Sequence, residues 1–483
     1  MRKRIHFVHF VRKHLLPALI ISCILASMSG CQKDQLLTGN TLSLYNSVDS
    51  VQFNEVFTTQ LQPTQSVKIF NGSEQAVNVQ ELQLAGGKNS PFKINVNGQA
   101  GTEFSSLNLP KNDSFYVFVT VALPENNSDA PFEVKDSIIY NYGSKTGKII
   151  LQATGLNAFY LSGGTLSKDT TWTNKRPIVI NGNLAIAQGA TLNIEPGTKV
   201  YTKAGKGIQI NGRLQALGTA DSAGQILLTG SRLDIPYNNM PGSWQGLSFG
   251  PNSKNNRLQF VHIKNAVNAI ADTSRPITGA HTGDESYLTL EGCVILQSSK
   301  EALLLRHTSA VLTNCLIYNS GIGIRAMGGT YHLQYVTMAG YSNDYIYHTD
   351  PLLYLADHHE NGQADPLTLT ATNCIITGDN DPLDELYLDN INDAFDLNFK
   401  NDLIKAAALP PLGHFTDCLL NADPAFTLID NRRAEYDFQL LSISPAVAAG
   451  LPIAGITTDM AGRSRSASSP SMGCYEFKEA ATE

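Results

Sequence analysis

VHIKN at 261–265, CVILQ at 293–297, CLIYN at 315–319, VTMAG at 336–340 and CIITG at 374–378 are one phrase written five times. The second, third and fourth copies start at 293, 315 and 336, a step of about one coil in a solenoid of parallel strands. Within each copy the first and third residues (Val261 and Ile263, Cys293 and Ile295, Cys315 and Ile317, Val336 and Met338, Cys374 and Ile376) are apolar or thiol. Period two with those residues inward predicts an internal ladder. The residues between them, His262, Val294, Leu316, Thr337 and Ile375, are expected to project outward. Asn265, Gln297, Asn319, Gly340 and Gly378 close the copies. Amides and glycine suit a corner where the backbone leaves the β region.

Composition agrees with strands and turns. Of 483 residues, 42% are apolar and 16% charged, and 39 are glycine, a length that favours two or more domains. The net charge is −7. Arg2, Lys3, Arg4, Arg12 and Lys13 precede an apolar run from Leu15 to Met28, with no acidic residue before 31. The 35 basic residues less those five leave 30 against 42 acidic ones, near −12. An acidic body argues against nucleic acid as a partner.

The basic start and short apolar run predict a targeting segment over 1–30. Leu25-Ala-Ser-Met-Ser-Gly-Cys31 resembles a bacterial lipobox, with Met28 where leucine is usual. The resemblance implies lipidation at Cys31 and attachment to the membrane without spanning it. Gln32 after the cysteine points to the outer membrane, and Lys33-Asp34 is a faint match to a surface-export tag. The other reading is an ordinary secretory signal. Residues 31–50 are polar and read as a tether.

From 51 to 156 short alternating runs are bounded by turn residues, as in SFYVFVTVAL at 114–123, a pattern that predicts a β-sandwich. KIFNGSEQAVNV at 68–79, Pro91-Phe92, LPKNDSFYVFVTV at 109–121 and IILQATG at 149–155 resemble the immunoglobulin-like domains of the abnormal-spindle and hydin group. Such domains serve as spacers or binding modules.

Residues 159–478 read as the solenoid. Ile180-Asn-Gly-Asn-Leu184 and Ile210-Asn-Gly-Arg-Leu214, with GATLNIEPGTKVY at 189–201 between them, are similar to the first coils of right-handed parallel β-helix proteins of the pectin-lyase-like superfold. Asp459-x-x-Gly462-x-x-Arg465 and Met472-Gly-Cys-Tyr-Glu476 resemble the terminal region of exported β-helix proteins. The fold class is therefore all-β: an N-terminal immunoglobulin-like β-sandwich followed by a right-handed parallel β-helix. The sandwich and the stretch 380–478 are expected to cover the solenoid's ends. Leu403–Leu409 reads as a short helix or a loop. Cys293, Cys315 and Cys374 are expected to be free and buried, and Trp172 and Trp244 to pack in the core.

The resemblance includes lyases and hydrolases that act on acidic polysaccharides, which need a base beside calcium-binding carboxylates, or carboxylates on adjacent coils. The outward column from His262 to Ile375 carries none, so no catalytic residue is assigned. The best polar cluster is the long insertion at 341–366, with Asp344, Tyr347, His348, Asp350, Asp357, His358, His359 and Glu360 as candidate ligand-binding residues, and Tyr341, Tyr345 and Tyr354 among them. Rings beside carboxylates suit sugars. The plainer reading is a solvated loop. No spacing there assigns a metal, no cofactor is expected, and calcium is the ion the enzyme reading would use. A second insertion, 271–287, offers Arg275, His281, Asp284 and Glu285. The reading that results is a lipid-anchored envelope protein displaying a surface for polysaccharide or a surface protein. The alternatives are a polysaccharide lyase or glycosidase and a purely structural protein.

Overall fold

The computed structural model describes residues 42–60, 63–276, 287–379 and 384–479. Cys31 and the targeting segment lie outside them. Among the described residues the regular structure is β-strand, apart from two 3-10 turns at Gly87–Asn89 and Tyr237–Asn239. No helix among them is long and apolar enough to cross a membrane. The chain divides into two compact units, one holding most of 42–154, the other 155 onward with two short earlier pieces.

The first unit is built on two five-stranded sheets. One runs in the order Leu44–Asn46, Gln65–Asn71, Ser114–Val121, Phe92–Val96, Gln99–Gly101, and its neighbours pair antiparallel. The stretch read as a tether thus supplies an edge strand at Leu44–Asn46. The alternation through 114–121 buries Phe115, Val117, Val119 and Val121 and leaves Tyr116 and Phe118 out. The sheets meet where Tyr140 donates to Asn46 Oδ1 at 2.7 Å and where Phe53 lies 6.1 Å from Phe92. In the KIFNGSEQ turn, buried Asn71 donates to the carbonyls of Gln75, Leu109 and Pro110 and accepts from Ser73 N. That asparagine fixes the turn because its side chain replaces backbone partners.

The second unit is a parallel β-helix-like solenoid. Eleven strands form one sheet, in chain order from Phe159–Leu161 to Leu419–Leu420, and each pairs parallel with its neighbour. Each coil then contributes two further strands to a 17-stranded sheet. In two central coils these merge into bent 13-residue strands, Glu301–Thr313 and Ile322–Gln334. The register is the one the repeated phrase predicts: His262, Val294, Leu316, Thr337 and Ile375 are successive partners, as are Ile263, Ile295, Ile317, Met338 and Ile376. The second set, with Cys293, Cys315, Cys374, Trp172 and Trp244, lies in one apolar core. The cysteines are unpaired, and burial holds the thiols of Cys315 and Cys374 well above their usual pKa.

The corner column divides by mechanism. Asn265, Gln297 and Asn319 have φ of 64°, 55° and 49°, the left-handed region that amides tolerate. Gly340 and Gly378 do not; they are small for space. A Cβ on Gly340 would lie 2.4 Å from the His348 ring, and one on Gly378 would lie 2.1 Å from Glu385 Oε1.

Two expectations are corrected. The outward column is not solvent-facing: Val294, Leu316, Ile375 and Leu403 are buried with Phe426, Phe438, Leu440, Met460, Met472 and Cys474 in a second apolar cluster. The stretch from 380 does not merely cover an end. Leu386–Asp389, Phe395–Lys400, Leu403–Ile404, His414–Thr416 and Leu419–Leu420 continue the coils, and Leu403–Leu409 opens as strand. Residues 426–478 then fold back along the side. A second corner, at Asn314, Tyr335, Asn373 and Asn401 with φ between 52° and 59°, receives this segment. Asn314 donates to Thr458 O, Tyr335 and Asn373 to Leu451 O, and Asn401 to Ala449 O, at 2.7–2.9 Å.

Candidate functional site

With one face covered, the polar face is formed by Glu301–Thr313, Ile322–Gln334, Leu353–Ala356 and Leu386–Asp389. Their register aligns Leu304, Arg325, Tyr354 and Tyr387 in a column. The flanking Leu303, Leu305, Ile324, Ala326, Leu353 and Leu355 are buried, so period two turns the column outward.

The column is electrostatically organised. The Arg325 guanidinium lies over the Tyr354 ring at 4.2 Å, and its Nε donates to Glu301 Oε1 at 3.0 Å. Tyr354 and Tyr387 have ring centroids 5.1 Å apart and planes 32° apart. The Tyr354 hydroxyl donates to Asp389 Oδ2. Burial, then that bond and the Asp389 charge, push its pKa up to about 12, so it is a hydrogen-bond donor rather than a base near neutral pH. Beside the column runs a groove of about 290 Å³ lined by Lys300, Glu301, Arg325, Tyr354, His358 and Asp389. Tyr387 is 48% exposed. A larger hollow, about 520 Å³, is lined by Tyr341, Asp379, Asp384, Lys405 and Asp423; there the Tyr341 ring packs on Tyr436 and Phe438.

The eight residues expected at the site do not form one cluster. Asp344, Tyr347 and Asp350 are exposed on the 341–352 loop. His348 is buried, its Nε2 2.8 Å from Glu385 Oε1. The insertion is not a single excursion, because Leu353–Ala356 is a strand of the solenoid that separates these four residues from the rest. Asp357 is fully buried and structural: its carboxylate accepts from the N–H groups of Ile391, Asn392 and Ala394 and bonds the His358 ring at 3.1 Å. Only His358, His359 and Glu360 border the groove. The His358 Nε2 is 3.7 Å from Asp389 Oδ2, and Glu360 pairs with Arg306 at 3.2 Å. His359 instead turns to Asp365, its Nε2 2.7 Å from Oδ2, and the Nδ1 of His307 meets the same carboxylate at 2.9 and 3.0 Å.

Of the 271–287 insertion, His281, Asp284 and Glu285 lie outside the described residues. Arg275 is buried, bonded to Asp272 Oδ2, Thr308 Oγ1 and the carbonyls of Pro251 and Ser253, with its guanidinium 3.7 Å from the Tyr287 ring centroid. It anchors the loop base. Reading the sequence missed Glu301, Arg325, Tyr387 and Asp389, which share no local motif. Only the strand register brings them together.

No family model matches the chain. A stretch of 128 residues, 26% of the chain, is 32% identical to Protein bark beetle of Drosophila melanogaster, and the chain spans 4% of that protein's length. Among solved structures, a family 123 glycoside hydrolase from Clostridium perfringens aligns at 13% identity over 25% of this chain and 30% of its own, with a TM-score of 0.19. The PapD-like domain 7 (ASH) of human CEP192 aligns at 12% identity over 26% of this chain and 96% of its own, with a TM-score of 0.17. Neither alignment bears on fold or activity at those scores.

Proposed function

We propose that the protein is a lipid-anchored component of the cell envelope that displays its solenoid as a glycan-binding surface without turning the glycan over. In this reading the solenoid is right-handed, as parallel crossovers almost always are, and the N-terminal sandwich is an immunoglobulin-like spacer. Cys31 carries the lipid and the outer membrane is its location.

The observation that carries the binding reading is the Tyr354–Tyr387 pair beside the groove. Aromatic faces cover the apolar faces of a sugar, and neighbouring charged and amide groups bind its hydroxyls. Glu301, Arg325 and Asp389 are already oriented by one another and by Tyr354, which reduces the ordering cost on binding. The protonated Tyr354 hydroxyl supports binding over proton abstraction.

A polysaccharide array and calorimetry on the purified chain, with and without calcium, test this reading. Saccharide binding should weaken roughly tenfold in Tyr387→Ala, the loss of about 1–1.5 kcal/mol of aromatic contact, with unchanged melting because the ring is half exposed. Unsaturated or reducing-end products would replace it with the lyase or glycosidase reading. Silence towards neutral and acidic polysaccharides alike would leave a structural protein with a protein partner. The anchor is tested separately: Cys31→Ser should move the protein from the membrane to the soluble fraction, and an unchanged distribution would overturn it.

A further inference from the structure

His307, His359 and Asp365 place three ligand atoms within 4.8 Å of one another, and each residue is more than nine-tenths buried. Both imidazole nitrogens converge on one carboxylate rather than on separate partners. The fold goes to some length to permit this. His307 holds φ at 47°, a left-handed conformation that costs a residue with a Cβ about 1–2 kcal/mol. In the adjacent coil the same step, between the pairs Arg306–Met327 and Thr308–Gly329, is taken by Gly328. A Cβ on Gly328 would lie 1.9 Å from Asp365 Cγ, so the glycine makes room for the carboxylate. Asp365 is held from behind as its N–H donates to Asp357 O at 2.8 Å, and the 359–363 turn is closed by His359 N to Gln363 O at 2.9 Å.

We propose that these three residues form a binding site for a first-row divalent metal ion, with zinc as the reference ion. Two imidazoles and one carboxylate are a nitrogen-rich set that suits zinc and its neighbours, whereas calcium needs six or more oxygens. Three protein ligands leave a fourth tetrahedral position for water or another ligand. The imidazole–carboxylate distances of 2.7–3.0 Å are those of hydrogen bonds through protons. An ion takes the place of those protons, and the three groups separate by a few tenths of an ångström to make bonds of about 2.0–2.2 Å. The site does not depend on the glycan reading: it stands beside the groove and uses none of the column residues.

Spacing could not reveal it. His307 is 58 residues from Asp365, while His359 is only 6 away, and no compact motif joins them. The full chain, stripped with EDTA, should bind one equivalent of Zn²⁺ by calorimetry and mass-spectrometric metal analysis, and Co²⁺ should give the intense visible absorption of a tetrahedral site. His307→Gln and His359→Gln should each weaken binding at least ~100-fold, since even outer partners of a metal ligand are worth ten- to a hundredfold. His332→Gln, which removes an exposed histidine, should leave it unchanged. Gly328→Ala should abolish binding while keeping every ligand. Failure of the unaltered protein to bind Zn²⁺ or Co²⁺ below about 10 μM, where a built site lies well within range, would overturn the proposal whatever the variants do. Binding that survives both histidine substitutions would do the same.

Discussion

Arg465→Ala is expected to release the carboxyl-terminal segment from the side of the solenoid, at a cost of about 3–5 kcal/mol, the range for breaking a buried charged pair from one side. The guanidinium donates to Asn314 Oδ1 at 2.7 Å, to the carbonyls of Gly473 and Ser471, and to Glu476, and it lies 3.8 Å from the Tyr335 ring centroid. One side chain thus joins two coil corners to the segment's last turn. Its support is Asp459, which accepts from the N–H groups of Ala461, Arg463 and Glu476 and from Arg463 Nε. The terminal motif is therefore a latch. Lysine should not restore it, because an ammonium cannot reproduce the planar, several-donor fork. Chemical denaturation gives the magnitude, and limited proteolysis shows whether 426–478 becomes the first region cut. Stability within about 0.5 kcal/mol of the parent, the level of a surface substitution, together with unchanged protease resistance, would refute the latch.

Asp357→Ala is expected to cost a similar amount, about 3–5 kcal/mol, and to disorder the 391–394 turn that follows Asp389 of the groove. Three backbone N–H groups lose their acceptor, each worth about 1–3 kcal/mol when left unsatisfied, with relaxation recovering part. Burial opposes the charge on Asp357, but the bonds from Ile391, Ala394 and Asn392 and from His358 together outweigh it, and its pKa is lowered. A carboxyl lowered on folding contributes stability above its unfolded pKa and loses it as pH falls through the folded value. The gap between parent and variant should therefore be full at neutral pH and narrow on acidification below about 4, near the unfolded value of an aspartate. A gap that stays constant down to that range would mean the carboxylate charge contributes nothing. This residue is also a poor probe of ligand binding, because its loss deforms the site indirectly. Tyr387, half exposed and outside the buried core, is the informative one.

Much of the architecture was legible because a coil repeats its own chemistry. The five phrases around Val261, Cys293, Cys315, Val336 and Cys374 gave the strand register residue for residue, and the amide corners followed from backbone conformation. The covered face was misjudged although a signal was present. Valine, leucine and isoleucine at both inward and outward positions of one strand describe a strand buried on both sides. The absence of carboxylates on that face reflects burial, so it says nothing about catalysis. The site was hidden for a different reason. Arg325, Tyr354 and Tyr387 become neighbours only through inter-coil pairing, across an insertion that itself contributes a strand. His348 and Asp357, two of the eight residues expected at the site, are consumed by Glu385 and by the 391–394 turn.

The covering segment has a consequence for the order of events when the chain first becomes structured. Val294 and Leu316 leave the ribosome long before Met460 and Met472, which bury them. The coils between can stack as they appear, each on the last, because their contacts are with near neighbours. During that interval the half-built protein carries an apolar stripe along one flank, of the kind that invites association with other chains. The stripe stays open until the final stretch arrives, so the coils that look most regular in sequence are the ones left exposed longest.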